Sequence, residues 1–154
     1  MLSRWHRHLG IYGICHDHNE LLVIHKTKGP YKGMFDLPGG SINECETLRQ
    51  ALKREFLEET GQNILINHQI GTFDFLVDYR YKQTDVTHHI AIFVDVSIEH
   101  WTTPEIEAQL KGQAVTTNDS SGVEWIGLEE MTELNSSPLV RKAATYILDG
   151  NVPL

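Results

Sequence analysis

Residues 54–61 read REFLEETG, and they set Glu55, Glu58 and Glu59 at i, i+3 and i+4. On a helix those spacings bring three side chains into one patch. Carboxylates that close repel one another, more strongly as water is withdrawn, and the C-terminal end of a helix disfavours negative charge. Such a patch calls for a cation. An oxygen-only donor set suits a hard divalent ion, Mg2+ first and Mn2+ second, which retains coordination positions for water and phosphate oxygens. Arg54 stands beside the patch and can hold a carboxylate through a two-point pair. An ion held there can polarise a bound water and offset the charge of an anionic oxygen beside it.

The helix that carries these acids must place them on its packed side. At 100° per residue, Leu48, Ala51, Leu52 and Phe56 define an apolar arc; Glu55 and Glu59 fall inside it and Glu58 on its edge. Gln50, Lys53 and Glu46 point the other way. A merely solvated charge run would occupy that opposite face.

The surrounding chain supplies elements for support. CETLRQALKREFLEETG, residues 45–61, has strong helix formers and ends on Gly61, the residue suited to a left-handed C-cap. Before it, TKGPYKGMFDLPGGSIN holds too many glycines and prolines for a regular element and is expected to be a structured loop. Upstream, LGIYGICH (9–16) and LLVIHK (21–26) flank the turn residues DHNE, as a hairpin would. Downstream, residues 64–98 read as several strands, the clearest being Val86 to Ile98. A short helix is expected from Thr103 as N-cap and Pro104, then a polar loop, a strand in VEWIGL, and a closing helix in SPLVRKAATYILDG with Leu139, Ala143, Tyr146 and Ile147 at helical spacing. There is no repeat or linker, so the expectation is one α/β domain over residues 1–154.

The whole-chain properties agree. The 154 residues are 40% hydrophobic and 22% charged, as in a soluble globular domain. A net charge of −8 argues against a duplex nucleic acid or an acidic membrane as partner, so an anionic substrate must meet local positive charge or metal. Cys15 and Cys45 form no disulfide framework and no zinc spacing. The N-terminal residues have no signal-peptide run and no stretch is apolar enough to span a bilayer, so the expected location is cytoplasmic.

GSINECETLRQALKREFLEETGQ, Gly40 to Gln62, resembles the Nudix box, G-x5-E-x7-R-E-U-x-E-E-x-G-U, where U is bulky and apolar. Gly40, Glu46, Arg54, Glu55, Glu58, Glu59 and Gly61 match every fixed letter, and Phe56 fills the first U; the departure is Gln62 at the last one. FDLPGG before the box and VEWIGLEEM after it are similar to Nudix flanks.

The resemblance implies an α/β/α sandwich with a mixed sheet, and metal-dependent hydrolysis of a nucleoside diphosphate linked to another moiety. It implies that Glu55, Glu58 and Glu59, with the main-chain carbonyl of Gly40, ligate Mg2+ or Mn2+, that Arg54 orients the carboxylates, and that Glu46 is structural. The base that deprotonates water could be Glu58 or Glu55, or, as in some relatives, a later acid, for which Asp119 and Glu124 are the local choices. Substrate contacts are expected from Lys26 and Lys28 with phosphates, from Phe35 just before LPGG, and from Tyr79, whose place after the box is associated with dinucleoside polyphosphate hydrolases. One of His88 and His89 must face inward, in a structural role. Many relatives are dimers, so a homodimer is among the expected states. The alternatives are a nucleotide-sensing domain that binds without turnover, and an isomerase branch needing a catalytic cysteine, for which Cys15 and Cys45 are the candidates.

Overall fold

The structure is a computed structural model that describes residues 4–99 and 120–154. The helix expected at Thr103 and Pro104, the polar loop after it and the candidate base Asp119 lie outside the described residues. Along the chain come β1 (Trp5–Ile14), β2 (His16–Asp17), β3 (Glu20–Lys26), β4 (Phe35–Asp36) and β5 (Gly39–Ser41), helix α1 (Leu48–Thr60), then β6 (Ile64–Tyr81), β7 (Thr84–Ile98) and β8 (Ser120–Gly127). A short 3-10 turn (Leu128–Glu130) leads to helix α2 (Pro138–Asp149).

Two sheets result. The first, in the order β5-β1-β7-β6, is mixed: β1 and β7 run parallel, with β5 and β6 antiparallel outside them. In the second, β3 pairs antiparallel with β8 along one edge and with the short β2 and β4 along the other. Strand alternation then separates two cores. Ile11, Leu22, Ile24, Ile92, Val94, Val123 and Trp125 pack with Ala51, Leu52 and Phe56 of α1. Tyr12, Ile14, Leu21, Val23, Phe93 and Ile126 pack with Leu139, Val140 and Ala143 of α2. Burial on both faces is why these strands carry runs of apolar residues instead of alternation with polar ones. The result is the expected α/β/α sandwich.

The expected hairpin forms only at its tip, where His16 pairs with Leu21 and Asp17 with Glu20. Residues 9–14 instead lie in the other sheet, parallel to β7. An apolar run records burial, not the identity of the strand beside it. Residues 64–98 make two long strands where several were expected. α1 begins at Leu48, three residues after Cys45, because Thr47 caps it: the Thr47 hydroxyl accepts from Gln50 N at 3.2 Å while the Gln50 side chain accepts from Thr47 N at 2.9 Å. Cys45 lies before the helix with φ +65°. At the other end Gly61 is left-handed, φ +73°, and its N–H reaches Leu57 O at 2.9 Å. α2 follows its expected outline, with Ser137 as cap and Leu139 and Ala143 buried. Among the described residues no helix is long and apolar enough to cross a membrane.

Candidate active site

α1 settles over β1 because Gly13 has no side chain: a Cβ there would stand 2.9 Å from the Phe56 ring. That approach carries the acidic end of the helix down to β5. Glu59 is 5% exposed and its carboxylate accepts the main-chain N–H of Gly39 at 2.9 Å. Glu55 is half-buried against Gly40, where a Cβ would fall 2.9 Å from the carboxyl carbon. Burial raises the pKa of Glu55, against the opposing pull of Arg54, and burial raises that of Glu59 further, against the Gly39 hydrogen bond. Two acids are therefore held where ionisation is penalised, which a bound cation would relieve.

Arg54 is the local organiser. Its Nε and Nη2 fork onto Glu46, the Nη2 bond being 3.0 Å, and Nη2 also reaches Ser41 O at 3.0 Å. Nη1 donates to Glu55 at 2.9 Å and to the exposed Glu58 at 3.3 Å. The fork pushes the Glu46 pKa down and that of Arg54 up. Glu46 is thus a brace between the pre-helix loop and α1.

Among the described residues no three His, Cys, Asp or Glu side chains converge as a ready metal cage. The donor chemistry nonetheless fits a hard divalent ion: Glu55 and Glu59 are oxygen donors withdrawn from water, and the missing Cβ of Gly40 leaves space at the Glu55 carboxylate. Glu58 would have to leave Arg54, a surface pair worth only about 0.3–0.5 kcal/mol.

These residues open onto a cavity of about 580 Å³. Gly40, Glu55 and Glu59 line it, as do Lys26, the exposed Lys28 and Tyr79 from the expected substrate contacts. Lys26 lies close enough to favour the charged forms of Glu55 and Glu59. Glu58 is outside the lining, and so is Phe35, whose ring meets His25 edge-on at 4.8 Å and packs into the α2-side core. Glu124 is also outside it and is engaged by His25 at 2.9 Å. Cys15 is buried, with its thiol pushed up to about 12 by burial, and Cys45 is exposed; neither lines the cavity, so the isomerase alternative lacks its thiol.

Of the rest of the lining, Asp36, Tyr12, Tyr31, His6, His8 and Thr87 were not singled out in the sequence, and His89 was singled out only for a structural role. Asp36 is buried, its pKa raised to about 6 by burial, and it accepts the Ser137 hydroxyl at 2.7 Å. His89 is the inward member of its pair, as required, yet it sits in the cavity wall and not in a plain core: Tyr12 and Tyr31 bind its two ring nitrogens at 2.7 and 2.8 Å. His6, His8 and Thr87 lie alongside. The one available signal was the i, i+2 spacing of His6 and His8 on a strand.

The model of the family described as NUDIX domain matches residues 4–146. An ADP-ribose pyrophosphatase from Methanocaldococcus jannaschii is 35% identical over 68 residues, 44% of this chain and 40% of that protein. An 8-oxo-dGTP diphosphatase from Proteus vulgaris is 32% identical over 65 residues, 42% of this chain and 58% of that protein. The matched stretch thus spans roughly half the length of these curated relatives. Among solved structures, a NUDIX hydrolase from Nitrosomonas europaea superposes with a TM-score of 0.70 over 96% of this chain and 92% of that one, at 14% identity, a likeness of fold. The family match over residues 4–146, with every fixed letter of the box in place between β5 and the end of α1, makes this chain a member of the Nudix family.

Proposed function

We propose that this protein is a metal-dependent pyrophosphohydrolase that cleaves the diphosphate of a nucleoside diphosphate linked to another moiety, with Mg2+ or Mn2+ held by Glu55, Glu58, Glu59 and the Gly40 carbonyl. The observation that carries the reading is the burial of Glu55 and Glu59 at the wall of a cavity that also presents Lys26 and Lys28. The ion, when bound, neutralises phosphate oxygens and lowers the pKa of water. The chain's own groups do the rest. Gly39 N–H fixes the Glu59 rotamer, Arg54 holds Glu55 in place, and Lys26 and Lys28 attract the phosphates. Glu55, which lines the cavity, or Glu58 beside it on α1 accepts the proton of the attacking water. The names of the relatives, one acting on ADP-ribose and one on 8-oxo-dGTP, support a small nucleotide as substrate. Two free thiols suit a reducing compartment such as the cytoplasm.

The test is a screen for phosphate or pyrophosphate release from nucleoside triphosphates, ADP-ribose and dinucleoside polyphosphates, each with and without Mg2+. Turnover of at least one compound, abolished by chelation, is expected. Tight binding with no turnover under Mg2+ or Mn2+ would favour a nucleotide-sensing domain instead.

A further inference from the structure

α1 covers only part of the sheet face on which it packs. Ile11 of β1 and Ile92 of β7 lie beneath it, but the strands run on past that row and carry the same face with them. Leu9 comes level with Ile90 and Asp74, and Arg7 with His88 and Leu76. Trp5 and Asp78 end the face on β1 and β6, both level with Val86. The other side of these strands turns His6, His8 and His89 into the cavity, so the surface is separate from the candidate active site.

Much of this face is apolar and in water. Trp5 is 55%, Leu9 47% and Leu76 63% exposed, and Ile90 among them is half-buried. β1 and β7 are parallel, and parallel strands are ordinarily covered on both faces. Large side chains gathered on an open face of that kind mark a surface for association.

The charges say what fits it. Arg7 stands on β1, Asp74 and Asp78 stand on β6, and His88 of β7, between them, is held by Asp74 at 2.7 Å. Arg80 and Asp85, at the adjoining hairpin tip, pair with each other at 3.9 Å. A face basic along one strand and acidic along another complements itself when turned about a two-fold axis parallel to the strands, which lays β7 over β7 and β1 over β6. Arg7 then lies over Leu76 of the second copy, with Asp74 and Asp78 of that copy about 7 Å to either side. Facing sheets stand about 10 Å apart, within reach of an arginine whose methylene stem covers the leucine. His88 meets its counterpart on the axis, each imidazole offset by its own Asp74.

We propose that this face is a two-fold interface between two copies of the chain, with Trp5, Leu9, Ile90 and Leu76 as its apolar centre and Arg7 paired across it to Asp74 and Asp78. The interface does not depend on what the cavity binds.

Sedimentation velocity of the intact chain from about 5 μM to about 0.5 mM reads the association directly. The wild type should pass from monomer to dimer within that range. Leu76→Lys, which sets a like charge against Arg7 of the other copy, should weaken the dimer about tenfold or more, and so should Arg7→Asp and Asp78→Lys singly. An equimolar mixture of those two charge variants should associate as the wild type does, because each presents the sign that the other lacks. All three positions are exposed, so each variant should melt as the monomeric wild type does. A wild type that stays monomeric to about 0.5 mM would assign the face to a different occupant and overturn the proposal. A dimer of equal affinity in all three variants, or a mixture that associates no better than either charge variant alone, would overturn it as well.

Discussion

The main-chain N–H of Gly39 donates to the Glu59 carboxylate at 2.9 Å, tying the first residue of β5 to the last turn of α1 across twenty residues of sequence. Gly39 has φ +148°, and a Cβ there would stand 2.2 Å from Ile11 O. Gly39→Ala should therefore destabilise the fold by about 2–4 kcal/mol, read as a fall in the denaturant midpoint. A change within about 0.5 kcal/mol would show that the β1–β5 pairing absorbs the side chain.

Glu59→Gln separates stability from function. Because burial raises the pKa of Glu59 in the folded state, folding binds protons above the ordinary carboxylate range, and stability falls as pH rises through that window. Removing the charge should raise the melting temperature of metal-free protein at pH 7.5 and have no such effect near pH 4. Turnover should fall by about 10²-fold or more. Lower stability at pH 7.5 would mean that the ionised carboxylate stabilises the free protein.

Arg54→Lys removes the fork that braces Glu46 and Glu55 while retaining the charge. The expected loss of stability is about 1–2 kcal/mol, since a lysine cannot reproduce the two-point pair. Glu55 would also lose its orienting partner, so kcat should fall more than KM changes. Wild-type kinetics in this variant would show that Glu55 is held by burial alone.

His89 has the opposite pH sign from Glu59. Its pKa is lowered to about 3 by burial, so the folded state excludes a proton that the unfolded chain takes up below the ordinary histidine range. Stability should rise with pH between about 3 and 6.5, by a few kcal/mol from this residue. In His89→Gln the acid-side slope of stability, followed by urea denaturation at several pH values, should be shallower. An unchanged slope would remove His89 from the acid response.

The part of the site legible in the sequence is the part that is local. Glu55, Glu58, Glu59 and Arg54 sit within one helix, where spacing alone sets direction, and the brace to Glu46 spans eight residues. His89 and Tyr12 meet across 77 residues because β1 pairs parallel to β7, and strand alternation says only that neighbours face apart. The same limit hid Thr87 and led Leu9–His16 to be read as half of a hairpin. Phe35 and Glu124 were named from the flanks of the box; both contact His25 and neither lines the cavity, a relation set by the pairing of β3 with β4 and β8. The cap at Thr47 was readable as T-x-x-Q, and it moves the helix start past Cys45.

Direct measurement of metal at α1 bears most closely on the central claim. Free Mn2+ can be followed by its electron paramagnetic resonance signal as it is titrated with wild-type protein and with Glu55→Gln, Glu58→Gln and Glu59→Gln variants. The expected result is saturable binding by the wild type, weakened about tenfold or more by each substitution and displaced by Mg2+. Wild-type Mn2+ affinity in all three variants, or hydrolysis that survives Glu58→Gln undiminished, would contradict the assignment of these glutamates to the metal.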